Sequence, residues 1–258
     1  MRELNFQFSC QLAFSQPVTD HAFLLRCLPR RAPGQEILSL ALQVLPESLH
    51  LSEGRDSFGN TTLAGWLSEA HSELSYQVSG LIRRDDSQRK WTDCPPCCRY
   101  PSALTRSSVE MEAFLQDLSL TGTPEEKADT IAAAIHKRLE YLPGSTNIST
   151  TAAEAFSQGK GVCQDFAHIF LALTRLAGIP ARYVCGLPQG EGATHAWAEI
   201  WQEGRWLGFD PTRNRRADET YIVLGVGRDY GDCPIERGIF RGIALQTQQA
   251  FMQVWAKE

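Results

Sequence analysis

Three residues whose chemistry combines into acyl transfer stand far apart in this chain: Cys163, His195 and Asp210. A thiolate attacks a carbonyl carbon, an imidazole moves the proton, and a carboxylate fixes the imidazole's tautomer. Cys163 lies in GKGVCQDFAHIFLALTRLAGIPARYVCG, residues 159–186, which reads as a turn, a helix and a strand. Phe166, Ala167, Phe170 and Ala177 share one side of that helix with Cys163, and Gly178 followed by Pro180 ends it. The thiol therefore sits at a helix start, where the backbone dipole and unpaired N–H groups favour the thiolate. The amide of Cys163 itself is then the candidate donor to an oxyanion.

The partners come from THAWAEIWQEGRWLGFDPT, residues 194–212. A two-residue turn at Glu203 and Gly204 pairs Trp201 with Trp206, Trp197 with Asp210 and His195 with Thr212. His195 and Asp210 become diagonal neighbours on one face, with Trp197, Glu199 and Gly208, while Ala196, Ala198, Ile200, Leu207 and Phe209 form the apolar face. Trp197 is the candidate substrate-binding residue, as a wall of the cleft; its alternative is the core.

Other polar residues carry weaker signals. His168 is a rival base, but five helical residues turn it about 140° from Cys163, which points to packing or a surface hydrogen bond. Asp165 lies in the first helical turn, where the dipole favours a carboxylate whatever the chemistry. Cys94, Cys97 and Cys98 are half of a zinc knuckle without a second Cys or His pair. Gly225 and Gly227 form a GxG without the rest of a dinucleotide fingerprint, so a strand or loop is expected there. No metal and no cofactor is called for.

The elements that must position these residues follow from pattern and punctuation. Residues 1–100 show short alternating runs separated by turn clusters at 15–20, 31–35 and 53–60, the last holding DSFGN at 56–60. This predicts an amino-terminal antiparallel β-sandwich. The Pro- and Cys-rich WTDCPPCCRYPSAL, residues 91–104, reads as a connection, with the second domain spanning residues 101–258. There the period becomes helical over VEMEAFLQDL and PEEKADTIAAAIHKRLEYL, the latter opened by Thr123, Pro124 and two glutamates.

A formal net charge of -5 argues against nucleic acid as a partner. No stretch is apolar enough to span a membrane, and the amino terminus lacks an export signal's pattern. The eight cysteines in a chain of this kind fit reduced thiols and a cytoplasmic setting.

GVCQDFAH at 161–168, THAW at 194–197 and GFDPT at 208–212 resemble, in order, the three catalytic boxes of bacterial transglutaminase-like proteins, often labelled cysteine proteases. The resemblance covers nearly the whole chain, since such proteins also carry an amino-terminal β domain with a DxFGN turn and a tail like GRDYGDCPIERGIFRG, here 227–242. It implies an α+β fold with a papain-like catalytic domain, helices packed on an antiparallel sheet, and a triad carried by Cys163, His195 and Asp210. Gln164 stands where animal transglutaminases have tryptophan, and no EF-hand-like acidic loop is present, which weighs against calcium-dependent cross-linking. The expected activity is hydrolysis of a peptide or isopeptide-type amide in a peptide or protein substrate. The alternatives are transfer to an amine and a non-enzymatic binding module with a vestigial triad.

Overall fold

The structure, a computed structural model, describes residues 1–257 apart from 47, 48, 89 and 92. Thr92, within the Pro- and Cys-rich connection, therefore lies outside the described residues. Five strands come first: β1 (Arg2–Leu25), β2 (Gln35–Leu45), β3 (His50–Arg55), β4 (Thr61–Leu67) and β5 (His71–Arg84). Next come helices α1 (Val109–Asp117) and α2 (Pro124–Arg138), strand β6 (Glu140–Tyr141), helix α3 (Ala152–Gln158), strand β7 (Lys160–Gly161) and helix α4 (Cys163–Leu176). The remainder is strands: β8 (Ala181–Pro188), β9 (Gly190–Gly192), β10 (His195–Gln202), β11 (Arg205–Asp210), β12 (Arg215–Ala217), β13 (Tyr221–Gly227), β14 (Glu236–Arg241) and β15 (Gln246–Ala256).

The first antiparallel sheet curls around β1. The first half of β1 pairs with β5 and β15, and its second half with β4 and β14. The turn expected at 15–20 is instead a bend inside this one strand, where the register shifts beyond Ala13 and again between Thr19 and Ala22. Such irregularities let a strand turn a corner and change neighbours without ending. Leu4, Phe6, Phe8, Cys10 and Leu12 alternate into the core along β1, as period-2 patterning requires. β14 and β15, from the carboxyl-terminal part of the chain, pair with β1, so this sheet draws on both ends of the sequence rather than on residues 1–100 alone.

The second sheet runs β12-β11-β10-β8-β13 and is antiparallel throughout. α2 begins as expected: Thr123 caps it, and Glu126 Oε2 accepts from the Thr123 N–H at 2.7 Å. A similar box of Thr151 and Glu154 opens α3, a helix the sequence pattern did not signal. α4 ends where Gly178 takes a φ of 77°, ahead of Pro180. Its amphipathic reading understates its burial: residues from Asp165 to Arg175 are all buried, because α4 is sandwiched between β8 and β10 on one side and α1, α2 and α3 on the others. The Cys-rich segment forms short 3₁₀ turns at Pro96–Arg99 and Ala103–Thr105, anchored where Arg175 Nη1 donates to Thr105 Oγ1 at 2.7 Å.

Two side-chain amides tie the sheets together along the edge of β13. Gln35 exchanges paired hydrogen bonds with Val223 N and O, both at 2.8 Å, and Asn60 does the same with Val226, again at 2.8 Å. Each amide presents a donor and an acceptor as a neighbouring strand would. The DSFGN turn sets Asn60 in place: Asp56 Oδ1 accepts from the N–H groups of Phe58 and Asn60, Oδ2 accepts from Asn60 Nδ2 and Arg26 Nε, and Gly59 takes a φ of 73°. Asn60→Ala strands two buried backbone groups of Val226, and we expect a loss of about 2–4 kcal/mol in denaturant unfolding; a change below about 0.5 kcal/mol would contradict the bracing role assigned to this amide.

Candidate active site

The hairpin of β10 and β11 turns through Glu203 and Gly204, both with positive φ, at 49° and 76°. Its register matches the expectation: Trp201 faces Trp206 and Ala198 faces Phe209. His195 starts β10, Asp210 ends β11, and His195 Nε2 lies 2.8 Å from Asp210 Oδ2. Cys163 is the first residue of α4, which packs on β10, and it stands close enough to the His195 ring to help raise the imidazole's pKa. With Nε2 held by Asp210, Nδ1 is the nitrogen left for the sulfur. The three residues singled out in the sequence are thus brought together.

Asp210 has no exposed surface, and a buried carboxylate must be satisfied by donors. Besides His195, the Tyr221 hydroxyl donates to Asp210 Oδ2 at 2.8 Å, and the Arg213 N–H donates to Oδ1 at 3.2 Å. Arg215, opposite Asp210 on β12, donates from Nε to the Tyr221 oxygen at 2.7 Å, which leaves the phenolic proton for Asp210. Burial raises the Asp210 pKa, but the hydrogen bond and charge of His195, then Tyr221 and Arg213, outweigh it, so the carboxyl stays below its ordinary value. Burial lowers the His195 pKa, yet the hydrogen bonds to Asp210 and Cys163 outweigh it and lift the imidazole to about 9. Tyr221 rises to about 12, through burial first and then the Asp210 charge.

The helix start is built by Asp165. Its Oδ2 accepts from the Val162 N–H at 2.7 Å and from Thr146 Oγ1 at 2.6 Å, closing the turn that presents Cys163. A β-carbon at Gly161 would fall 2.7 Å from that same oxygen, so only glycine fits ahead of the turn. Exposed apolar residues flank the turn that carries Cys163: Tyr141 pairs with Gly161, the Leu142 N–H donates to the Gly161 carbonyl at 2.9 Å, and Gln164 Nε2 donates to the carbonyl of Ile148 at 3.4 Å.

Trp197 does not reach the substrate side. It is 1% exposed and packs edge-on against Tyr221 with ring centroids 5.1 Å apart, inside a cluster with Val184, Val223 and Val226. The strand parity was right, but side chains from β8 and β13 of the same sheet close around the ring, so the core alternative holds. His168 is buried rather than at the surface, its Nε2 accepts from the Tyr230 N–H at 3.1 Å, and burial lowers its pKa to about 4. Cys98 is buried and its thiol is pushed up to about 12, by burial first; among the described residues no group of His, Cys, Asp or Glu has a metal-holding arrangement. Gly225 and Gly227 lie in buried β13. Tyr221, Arg213 and Arg215 were missed; the signal was their place just beyond GFDPT, in the turn and the two strands that follow β11.

Residues 112–211 match the transglutaminase-like superfamily and residues 4–83 the bacterial transglutaminase-like N-terminal region. An uncharacterized protein of Mycobacterium tuberculosis is 32% identical over 247 residues, covering 82% of this chain and 79% of its own. A protein-glutamine gamma-glutamyltransferase of Pseudomonas aeruginosa is 29% identical over 147 residues, 44% of this chain and 22% of that protein. A proposed cysteine protease from Cytophaga hutchinsonii shares the fold at a TM-score of 0.84 and 23% identity, over 100% of this chain and 92% of that one.

The charges make opposite predictions for two variants. Asp210→Asn removes the carboxylate that lifts the imidazole, burial then dominates, and the His195 titration followed by NMR should fall from about 9 to or below the ordinary 6.5. Tyr221→Phe removes a competing donor from Asp210, and the same titration should move up. Movement of either variant in the other direction would contradict the assigned network. From its family matches and its architecture, the chain belongs to the transglutaminase-like superfamily.

Proposed function

We propose that the protein is a thiol acyl-transfer enzyme that hydrolyses a peptide or isopeptide-type amide, with Cys163 as nucleophile, His195 as general base and acid, and Asp210 as the residue orienting the imidazole. The observation that carries this reading is the 2.8 Å contact of His195 with a fully buried Asp210, beside a cysteine at a helix start. An imidazole lifted to about 9 holds its proton at neutral pH, ready to pass it on. The thiolate attacks the amide carbonyl, the Cys163 N–H at the first helical position meets the oxyanion, and His195 protonates the departing amine. Water then opens the thioester, with His195 taking its proton, and the acid product leaves. No metal or cofactor enters these steps. The exposed apolar rim of Tyr141, Leu142 and Ile148 supports a peptide or protein as the partner rather than a polyanion.

No helix among the described residues is long and apolar enough to cross a membrane. The eight cysteines stand unpaired, and a working Cys163 must be reduced, which supports a cytoplasmic setting. A second reading, transfer of the acyl group to an amine, rests on the likeness to the gamma-glutamyltransferase over 44% of the chain.

Intact-mass spectrometry after rapid quench with a peptide panel tests both. We expect a thioester adduct confined to Cys163, absent in Cys163→Ala and reduced by about a hundredfold or more in His195→Ala. An added primary amine should leave the carboxylic acid as the main product. An amide product in excess would favour the transferase reading, and absence of any adduct with an intact fold would favour the binding module.

A further inference from the structure

Sheet parity divides β1, β2, β5 and β15 into a buried face and a solvent face of unusual composition. The buried face carries Phe6, Phe8, Val78, Tyr76, Met252 and Val254. On the other face Gln43, Gln77, Ser9 and Phe251 stand in one cross-strand row, and Ser39, Leu81, Asn5 and Trp255 in another. In an extended strand the four residue steps from Phe251 to Trp255 span about 13 Å. Both rings are exposed, at 49% and 43%. Between them the face is set with glutamine and serine.

Charge is held at the ends of this field and at its β9 edge, where Glu191 accepts from Gln253 Nε2 at 2.8 Å. At one end Arg83 bridges Glu3 at 2.9 Å and Glu36 at 2.8 Å, and Lys257 bridges Glu3 at 2.8 Å. At the other, Glu73 accepts from Gln11 Nε2 at 3.4 Å. Among the described residues, the side-chain amides of Gln43, Gln77 and Gln249 make no hydrogen bond within the chain. They open into a groove of about 530 Å³ that Phe251 also lines.

We propose that this face binds a neutral glycan. Amides supply a donor and an acceptor each, which suits the paired hydroxyls of a sugar ring, and an exposed aromatic face suits its C–H surface. The separation of Phe251 and Trp255 fits a short oligosaccharide chain rather than one ring. A field without basic residues offers a nucleic acid or an acidic membrane nothing to pair with. Aromatics isolated among amides do not form the continuous apolar stripe that a helix or an apolar peptide needs. This inference stands apart from the catalytic reading, since no residue of the Cys163 site takes part.

The full-length protein is titrated by calorimetry with cellohexaose, chitohexaose and maltohexaose, with heparin as the polyanion control. At least one neutral oligosaccharide should bind with a Kd below about 1 mM, and heparin should not. The double variant Phe251→Ala/Trp255→Ala should weaken that binding about tenfold or more, the scale of losing aromatic anchors. Gln43→Ala/Gln77→Ala should weaken it too. All four positions are surface ones, and unchanged Tm values verify the fold. The proposal is overturned if no neutral oligosaccharide binds, if binding survives loss of both rings, or if the protein is a dimer that the Phe251/Trp255 variant dissociates.

Discussion

A carboxylate with no exposed surface organises the second sheet. Taking the Asp210 charge out of water is costly, and it is tolerated only because His195, Tyr221 and the Arg213 backbone all donate to it. Each donor comes from a different place: the start of β10, the start of β13 and the turn after β11. The site is therefore a consequence of three strand ends meeting. Arg215 extends the set by fixing the direction of the Tyr221 hydroxyl.

The same strand links this network to the amino-terminal sheet. β13 offers Tyr221 to Asp210 at one end, while Gln35 and Asn60 pair with its edge at Val223 and Val226. A free strand edge would otherwise leave backbone groups unpaired in a buried interface. The amino-terminal sheet thus acts as a brace for the strand that completes the Asp210 environment. On the opposite side of the site, α4 is immobilised by burial nearly all round, and Asp165 with Gly161 sets the turn that places the sulfur. The imidazole and the sulfur thus each stand on a rigid support.

Much of this was legible because it is local. A two-residue turn at Glu203 and Gly204 fixes the hairpin register, and the register alone brings His195 towards Asp210. Thr123 and Glu126 announce α2, and Gly178 with Pro180 close α4. What the sequence hid is non-local. The bend at 15–20 looks like a turn because Pro17 and Asp20 interrupt the alternation, yet pairing with four different strands keeps β1 continuous. Trp197 is on the predicted face, but nothing local says that Tyr221 will cover it. Nor does any spacing reveal that Asn60 reaches Val226, 166 residues away.

The central claim is that the Cys163 sulfur works with the His195 imidazole. Alkylation by iodoacetamide at mildly acidic pH, with peptide mapping of the label, tests it most directly. Cys163 should react well ahead of the partly exposed Cys94 and Cys97, and His195→Ala should abolish that lead while leaving the other two unchanged. Labelling of Cys163 at the pace of Cys97, with or without the histidine, would contradict it.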